Sequence, residues 1–275
     1  MKKFLIPVLA AAALVGCTKE NHGVTYADNE ILASATTLSV DAVTKAPVNG
    51  YGSGFLARVP ISQTDGDYTT EYGNAAYMKF ADVTNAVGFV GSDGSTSAAK
   101  FYPATGNVYL CGLYPAQTWT LNGTKASYTF NGSQDVMAAA QVASTKADAP
   151  DSYKTLVFNH LLTQITVKFK AETPEDAAAW GNIKALELLS SDGAKLANVA
   201  EVTLKTGVAT CTSNSGTGFY AVTGGTTYSD TQYAATAIPV GDASAVAYTM
   251  CAPVDADGST AAEYKLKITS ASGAD

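Results

Sequence analysis

Positive charge is scarce in this chain. Its 275 residues include 17 Lys and Arg against 24 Asp and Glu, which gives a net charge of −7, and Arg58 is the only arginine. Proteins that bind nucleic acid obtain most of their affinity by neutralising phosphates with Lys and Arg. We therefore exclude nucleic acid as a partner.

Histidine and cysteine are also sparse, with 2 His and 4 Cys. The sequence contains no H-E-x-x-H, no G-x-S-x-G and no C-x-x-C, so no grouping of nucleophile, base or metal ligands emerges. We predict that the chain is not an enzyme and holds no metal or cofactor. His160 is interpreted as a packed histidine whose ring bonds a backbone group.

The three cysteines after the N-terminal region are an odd number, which is not typical of a disulfide framework. Cys111 falls in an apolar alternating segment and is predicted to be a small buried side chain. Cys211 and Cys251 could form a bridge or remain free thiols, and the sequence leaves both alternatives open.

Long hydrophobic runs are absent except near the start, where residues 4–15 are apolar and follow two lysines. Such a run is too short for a stable membrane-spanning helix and is typical of a signal peptide, predicted here as residues 1–16 with cleavage after Gly16. The L-V-G-C sequence that ends at Cys17 resembles the lipobox of bacterial lipoproteins, in which the cysteine is acylated. The alternative is an ordinary signal peptide with a chance cysteine. Residues 17–30 are polar and are predicted to be a tether.

Alternating polarity and turn residues dominate the rest of the chain. Short apolar runs are separated by Gly, Asn and Asp clusters, including the Asn-Gly pairs at 122–123 and 131–132, which favour hairpins. We predict an all-β fold with two tandem antiparallel β-sandwich domains, at residues 31–162 and 163–275, and at most one or two short helices. One helix is predicted to begin after Thr173, with Pro174 at its first position, and to end at Gly181.

Two segments of the sequence support the prediction of β-sandwich domains. In residues 108–113 the odd and even positions are both apolar, so both faces of that strand should be buried. Further on, Phe158, His160 and Leu162 are even-numbered, whereas Ile165 and Val167 are odd-numbered. This change of parity requires a bulge, a turn or a change of sheet between Leu162 and Ile165.

Three motifs in register suggest a family. They are Tyr114-Pro115 after an apolar strand, Asp135 with Met137 and Ala139, and Phe158, His160, Leu162 and Ile165 before an alternating strand. Behind a lipoprotein signal, this pattern resembles the fimbrillin family of Bacteroidales, the lipoprotein subunits of type V pili. The resemblance covers most of the chain and weakens after about residue 181.

The resemblance implies transthyretin-like sandwich domains and a structural role in a fimbria on the outer membrane. It also implies that the first strand, residues 31–43, fills a groove and is removed by a protease, so that other fimbrial subunits join by strand addition. Leu38 and Val40 are the predicted groove fillers, and Lys45 or Arg58 the predicted processing sites. The alternative for Lys45 is a solvated turn residue. Adhesion to host or bacterial surface ligands is a further implication.

Fimbrillins usually carry more strands at their C-terminal end than this sequence does. We therefore expect the second domain to be truncated or to lack a closing hairpin, with an unpaired edge at residues 264–268. The role as shaft, anchor or tip subunit stays open.

A second hypothesis is a monomeric surface lipoprotein that binds glycans or host proteins. Trp119 and Trp180 could then supply stacking platforms, although isolated aromatic side chains are more often part of a core.

Overall fold

A computed structural model describes residues 26–37, 54–80, 86–148, 153–223, 227–233, 236–241, 245–253 and 263–270. Over this part of the chain the structure has nineteen β-strands and one α-helix, which confirms the all-β class and the expected short helix. No helix among the described residues has the length and apolar character needed to cross a membrane.

The elements before residue 163 are ten strands and one 3-10 turn. They are β1 (Ala33–Thr37), β2 (Phe55–Arg58), β3 (Ile61–Ser62), β4 (Tyr77–Phe80), β5 (Phe89–Val90), β6 (Asn107–Tyr114), β7 (Thr120–Asn122), β8 (Lys125–Thr129), β9 (Met137–Thr145), the turn Lys146–Asp148, and β10 (Lys154–His160).

The later elements are nine strands and the helix. They are β11 (Thr163–Phe169), α1 (Pro174–Trp180), β12 (Asn182–Ser190), β13 (Val199–Thr203), β14 (Val208–Thr212), β15 (Tyr220–Thr223), β16 (Thr227–Gln232), β17 (Thr236–Ala237), β18 (Ala245–Cys251) and β19 (Tyr264–Ser270).

The largest sheet, here called the barrel sheet, has eight strands in the order β1-β10-β9-β6-β2-β4-β5, with β3 also paired to β6. Its first pair, β1 with β10, is parallel, and its other strand pairs are antiparallel. An antiparallel bridge joins Ala33 of β1 to Val87, two residues before β5. The two ends of the sheet therefore meet, and the sheet curls round on itself.

The interior of the barrel sheet is the larger of the two main cores. It takes side chains from nearly every strand of the sheet, and Phe55 and Phe158 meet edge to face with ring centroids 5.2 Å apart. The buried cluster consists of Ile31, Ala33, Ala35, Phe55, Ala57, Val59, Ile61, Ala76, Met78, Phe80, Phe89, Tyr102, Val108, Leu110, Met137, Ala139, Leu156 and Phe158.

A four-stranded sheet in the order β14-β13-β8-β7, here called the cover sheet, packs against the outside of the barrel sheet. Strand β6 lies between the two cores: Val108 and Leu110 face the barrel interior, and Cys111 and Leu113 face the cover sheet. The predicted two-faced burial of this strand is thus confirmed. A hairpin joins β7 and β8 as expected, but its turn is Gly123 and Thr124, one residue later than the Asn-Gly pair, because Asn122 is paired opposite Lys125.

The remaining strands form a four-stranded sheet, β11-β18-β15-β16, and a three-stranded sheet, β17-β12-β19. Strand β10 belongs to the barrel sheet and β11 to another, so the parity change between Leu162 and Ile165 is a change of sheet. Strand β19 pairs with β12, and the expected unpaired edge at residues 264–268 stays a prediction. Leu266 on this strand is 37% exposed.

Helix α1 begins and ends where the sequence predicts. Thr173 is the N-cap: its side chain accepts a hydrogen bond from the Asp176 backbone, and the Asp176 carboxylate accepts one from the Thr173 backbone. This reciprocal pair satisfies two donors that the helix itself cannot bond. Gly181 ends the helix with a φ of 69°.

The cover sheet draws strands from both sides of the domain boundary predicted at residues 162 and 163. Strand β8 pairs with β13 over five residues, from Val199 opposite Thr129 to Thr203 opposite Lys125. The division into two domains at this point stays a prediction, and the hairpin of β13 and β14 packs with the N-terminal strands.

Gly112 gives a test of packing in the barrel interior. A Cβ at this position would lie 2.8 Å from Phe158 Cε1 and closer still to Cζ, and the Phe158 ring is fully buried. We expect Gly112→Ala to lower the free energy of unfolding by about 1 to 3 kcal/mol through overpacking, as measured by urea denaturation. In the Phe158→Leu background the same substitution should lower the free energy of unfolding by a smaller amount, because leucine leaves room for the added methyl group. An equal loss of unfolding free energy in both backgrounds would show that the Phe158 ring is not what the added methyl group contacts.

Candidate functional site: the first strand and its seam

The candidate site is the seam, defined here as strand β1 with its two neighbours, β10 and the segment around Val87. On one side β1 pairs in parallel with β10, from Ala33 opposite Lys154 to Thr37 opposite Phe158. On the other side the Ala33 N–H donates to the Val87 carbonyl at 3.2 Å, and the Val87 N–H donates to the Ala33 carbonyl at 2.9 Å. Among the described residues, β1 is therefore paired with β10 over its whole length on one side, and through Ala33 with Val87 on the other.

The segment just before β1 extends the seam. The Ile31 N–H donates to the Lys100 carbonyl at 2.8 Å, and the Tyr102 N–H donates to the Asn29 carbonyl at 3.0 Å. The side-chain hydroxyls of Ser34 and Thr155 form a hydrogen bond of 2.8 Å. Main-chain hydrogen bonds therefore hold residues 29–37 in one register.

The inward side chains of this segment are small or aliphatic. Ile31, Ala33 and Ala35 are fully buried in the barrel interior, where they close the gap beside Leu156 and Phe158. Sequence reasoning missed these three residues, because it took the groove fillers from the even-numbered alternation of Leu38 and Val40 further along the segment. The odd-numbered alternation of Ile31, Ala33 and Ala35 was the available signal.

Most of the predicted site residues lie outside the described residues. These are Gly16, Cys17, Leu38, Val40 and Lys45. Their predicted roles in signal cleavage, lipidation, groove filling and processing stay predictions.

Arg58 is the one predicted processing residue that the structure describes. It is the last residue of β2, paired with Tyr77 of β4 and with Leu113 of β6. Its guanidinium lies 2.5 Å from Glu71 Oε1, and both side chains are mostly buried, at 16% and 18% exposure. Proteases cut most readily at exposed segments with few backbone hydrogen bonds, so this placement argues against Arg58 as a cleavage site.

His160, at the end of β10, is anchored by a carboxylate. Its Nδ1 lies 2.6 Å from Asp135 Oδ2, and their side chains are 17% and 5% exposed. The hydrogen bond to Asp135 raises the pKa of His160, and partial burial opposes this effect only in part. Sequence reasoning expected a backbone partner for His160; the structure gives it a side-chain partner two residues before β9.

The other residues considered for chemistry are packed. Burial raises the pKa of the Cys111 thiol, and also that of the Cys251 thiol, to about 12, so neither is a thiolate nucleophile at neutral pH. Cys211 and Cys251 are both free thiols in this structure. Trp119 is 5% exposed and its Nε1 donates to the Pro115 carbonyl at 2.8 Å, so it belongs to the core. Trp180 is 41% exposed.

No cluster of three or more metal-ligating side chains occurs among the described residues. What the seam offers is a ladder of main-chain pairing between β1 and β10 on one side, and main-chain bonds from residues 29–33 to Val87, Lys100 and Tyr102 on the other, above an apolar core. Such an arrangement binds an extended polypeptide segment through the main chain and selects its register through alternate side chains.

Comparison with known proteins places this chain beside fimbrial proteins. A family model described as fimbrillin-like matches residues 53–274. Among solved structures, a proposed cell adhesion protein from Bacteroides uniformis is 17% identical, with a TM-score of 0.48, over 90% of this chain and 81% of that one. A fimbrial protein from Bacteroides vulgatus is 15% identical, with a TM-score of 0.43, over 87% and 82%. No curated protein matches this chain.

The ion pair of His160 and Asp135 makes the stability depend on pH. Because the folded-state pKa of His160 lies above the unfolded value of about 6.5, its stabilisation is complete below that pH and is lost as the pH rises through the folded pKa. We expect His160→Gln to lower the free energy of unfolding by about 1.5 to 3 kcal/mol at acidic pH and by less at alkaline pH.

Urea denaturation at several pH values between about 5 and 9 would measure this difference. Asp135→Asn is the matched variant, because it keeps the shape of the side chain and removes the charge. The pH dependence of its free energy of unfolding should follow that of His160→Gln. A pH-independent difference between the wild type and His160→Gln would contradict the ion pair.

Proposed function

Because this chain belongs to the fimbrillin-like family, we propose that it is a structural subunit of a cell-surface fimbria, assembled by protease-triggered strand exchange. In this proposal it is exported as a lipoprotein, with the signal peptide removed after Gly16, and is held on the outer membrane by acylated Cys17. Its partners are other fimbrial subunits, and the assembled fimbria contributes to adhesion. The role is structural rather than enzymatic.

The observation that supports strand exchange is the position of β1. It occupies the seam where the barrel sheet would otherwise be open, and it contributes Ile31, Ala33 and Ala35 to the core. Removing it would leave main-chain groups of β10 and Val87 unpaired beside an apolar gap. Unpaired strand edges of this kind readily accept another strand.

The proposed processing site is Lys45. It follows β1 by eight residues, so a cut after it would separate β1 from the rest of the chain without breaking a described strand. A cut after Arg58 would instead fall at the end of β2, within the barrel sheet. We therefore favour Lys45 over Arg58.

Limited trypsin treatment of the folded mature chain tests the site. We expect a stable product that begins at Ala46, identified by N-terminal sequencing, because the barrel sheet protects the lysines and the arginine of its strands. Lys45→Gln should abolish this product and Arg58→Gln should not. A first product that begins at Val59, or an unchanged pattern in Lys45→Gln, would contradict the proposal.

A peptide of residues 29–43 tests the seam of the cut chain. After mild denaturant has released the cleaved segment, the chain should bind a fluorescent copy of this peptide, whereas the uncut chain should not. Ala33→Asp in the peptide should weaken binding by about 100-fold or more, because it buries a charge. A peptide with Leu38→Asp and Val40→Asp measures whether those two residues also fill the groove. Equal binding to the cut and uncut chains would rule out strand exchange at the seam.

Lipid attachment is tested in the cell. Growth with labelled palmitate should label the wild-type chain, and Cys17→Ala should abolish the label and release the protein from membranes. Cys111→Ala is the matched control, because it removes a different cysteine, one that the fold buries completely. Labelling that persists in Cys17→Ala would disprove the anchor.

A further inference from the structure

A second recessed surface lies away from the seam, where the cover sheet meets the sheet β11-β18-β15-β16. It is a cleft of about 490 Å³, within the range of small-molecule sites in proteins. We call it the amide cleft, because four of its lining residues carry side-chain amides: Asn131, Gln134, Asn198 and Gln232.

Main-chain contacts hold the walls of the amide cleft together. The Gly218 N–H donates to the Asn131 carbonyl at 2.8 Å, and the Met250 N–H donates to the Gly132 carbonyl at 2.8 Å. Gly132 has a φ of 99°, and a Cβ on it would lie 2.5 Å from the Gly218 carbonyl oxygen. This close approach requires glycine, and it presets the shape of the cleft before any ligand binds.

The amides of the cleft have unused hydrogen-bonding capacity. Gln134 Oε1 accepts from the Tyr128 hydroxyl at 3.3 Å, which leaves the Gln134 NH₂ group without a partner among the described residues. The side chain of Asn198 forms no hydrogen bond within the described part of the chain, and its Oδ1 is buried. Because Oδ1 is the buried atom of this amide, the NH₂ group of Asn198 is the part that is open to a ligand in the cleft.

The charge of the cleft restricts the ligand further. None of the described residues that line it is charged. A carboxylate or phosphate ligand would lack the Arg or Lys that normally binds such groups. An apolar ligand would leave the amides desolvated and unpaired. A neutral ligand with many hydroxyl groups fits, because each hydroxyl both donates and accepts, as each amide does.

We propose that the amide cleft binds a neutral saccharide unit, with Gln134, Asn198 and Gln232 as its hydrogen-bonding residues. Tyr128 and Tyr220 also line the cleft, where the Tyr128 hydroxyl donates to Gln134 Oε1 and the Tyr220 hydroxyl donates to the Asn131 carbonyl.

This site goes beyond the assembly proposed above, because the amide cleft and the seam share no residue. Strand exchange and saccharide binding are therefore separable by experiment. The trypsin and peptide measurements leave the cleft unchanged, and substitutions in the cleft leave β1 unchanged.

Isothermal titration of the uncut mature chain with lactose, maltose, cellobiose and sialyllactose tests the proposal. We expect at least one of the three neutral disaccharides to bind with a Kd of about 1 mM or tighter. Asn198→Ala and Gln134→Ala should each weaken that binding by about tenfold or more, the effect of losing a hydrogen bond that the ligand depends on. Asn107→Ala, which removes an exposed amide outside the cleft, is the matched control and should have no effect.

Thermal denaturation separates a binding role from a structural one. Because Asn198 Oδ1 has no partner in the fold, Asn198→Ala should not lower Tm even though it weakens saccharide binding. If Asn198→Ala fails to fold, Gln134→Ala, at an exposed position, still provides the test. The proposal is overturned if no neutral disaccharide binds, if sialyllactose binds more tightly than lactose, or if both cleft variants bind as the wild type does.

Discussion

The structure depends on the hydrogen bonds that β1 makes on both of its edges. Without them, the barrel sheet would end in two open edges, at β10 and at Val87, and its apolar interior would face water. Backbone groups at such an edge need partners, and the exposed apolar surface adds a hydrophobic cost. One short strand thus completes both the hydrogen bonding and the core of the largest sheet.

The chemistry of β1 suits a strand that is replaced. Its inward side chains include two alanines, because Phe55, Phe80 and Phe158 already fill the centre of the barrel interior. Much of its attachment therefore comes from main-chain hydrogen bonds, which any extended segment of similar shape can supply. The proposed strand exchange requires a seam of this kind, in which the first strand is held mainly through its main chain.

The proposed assembly site and the proposed saccharide site occupy different parts of the molecule. The seam is apolar and held mainly by main-chain bonds, whereas the described lining of the amide cleft is polar and uncharged and comes largely from segments that flank β8, β13 and β15. The β8 and β13 pairing is what brings Gln134 and Asn198 to one surface, since these residues are far apart in the chain. The same cross-boundary pairing therefore shapes the fold and creates the cleft.

The sequence by itself determined the features that depend on near neighbours: the two buried faces of β6, the N-cap of α1 at Thr173, and the break in alternation after Leu162. Periodicity and capping act over a few residues, so they can be read locally. Only the tertiary structure decided that Ile31, Ala33 and Ala35 fill the seam, that Asp135 pairs with His160, and that β8 pairs with β13. Contacts of this kind join segments that are far apart in the chain; Ser34 and Thr155, for example, are 121 residues apart. Several strands have the same alternation of polar and apolar residues, so alternation alone does not say which strands pair. Which pairing forms depends on the packing of the whole core.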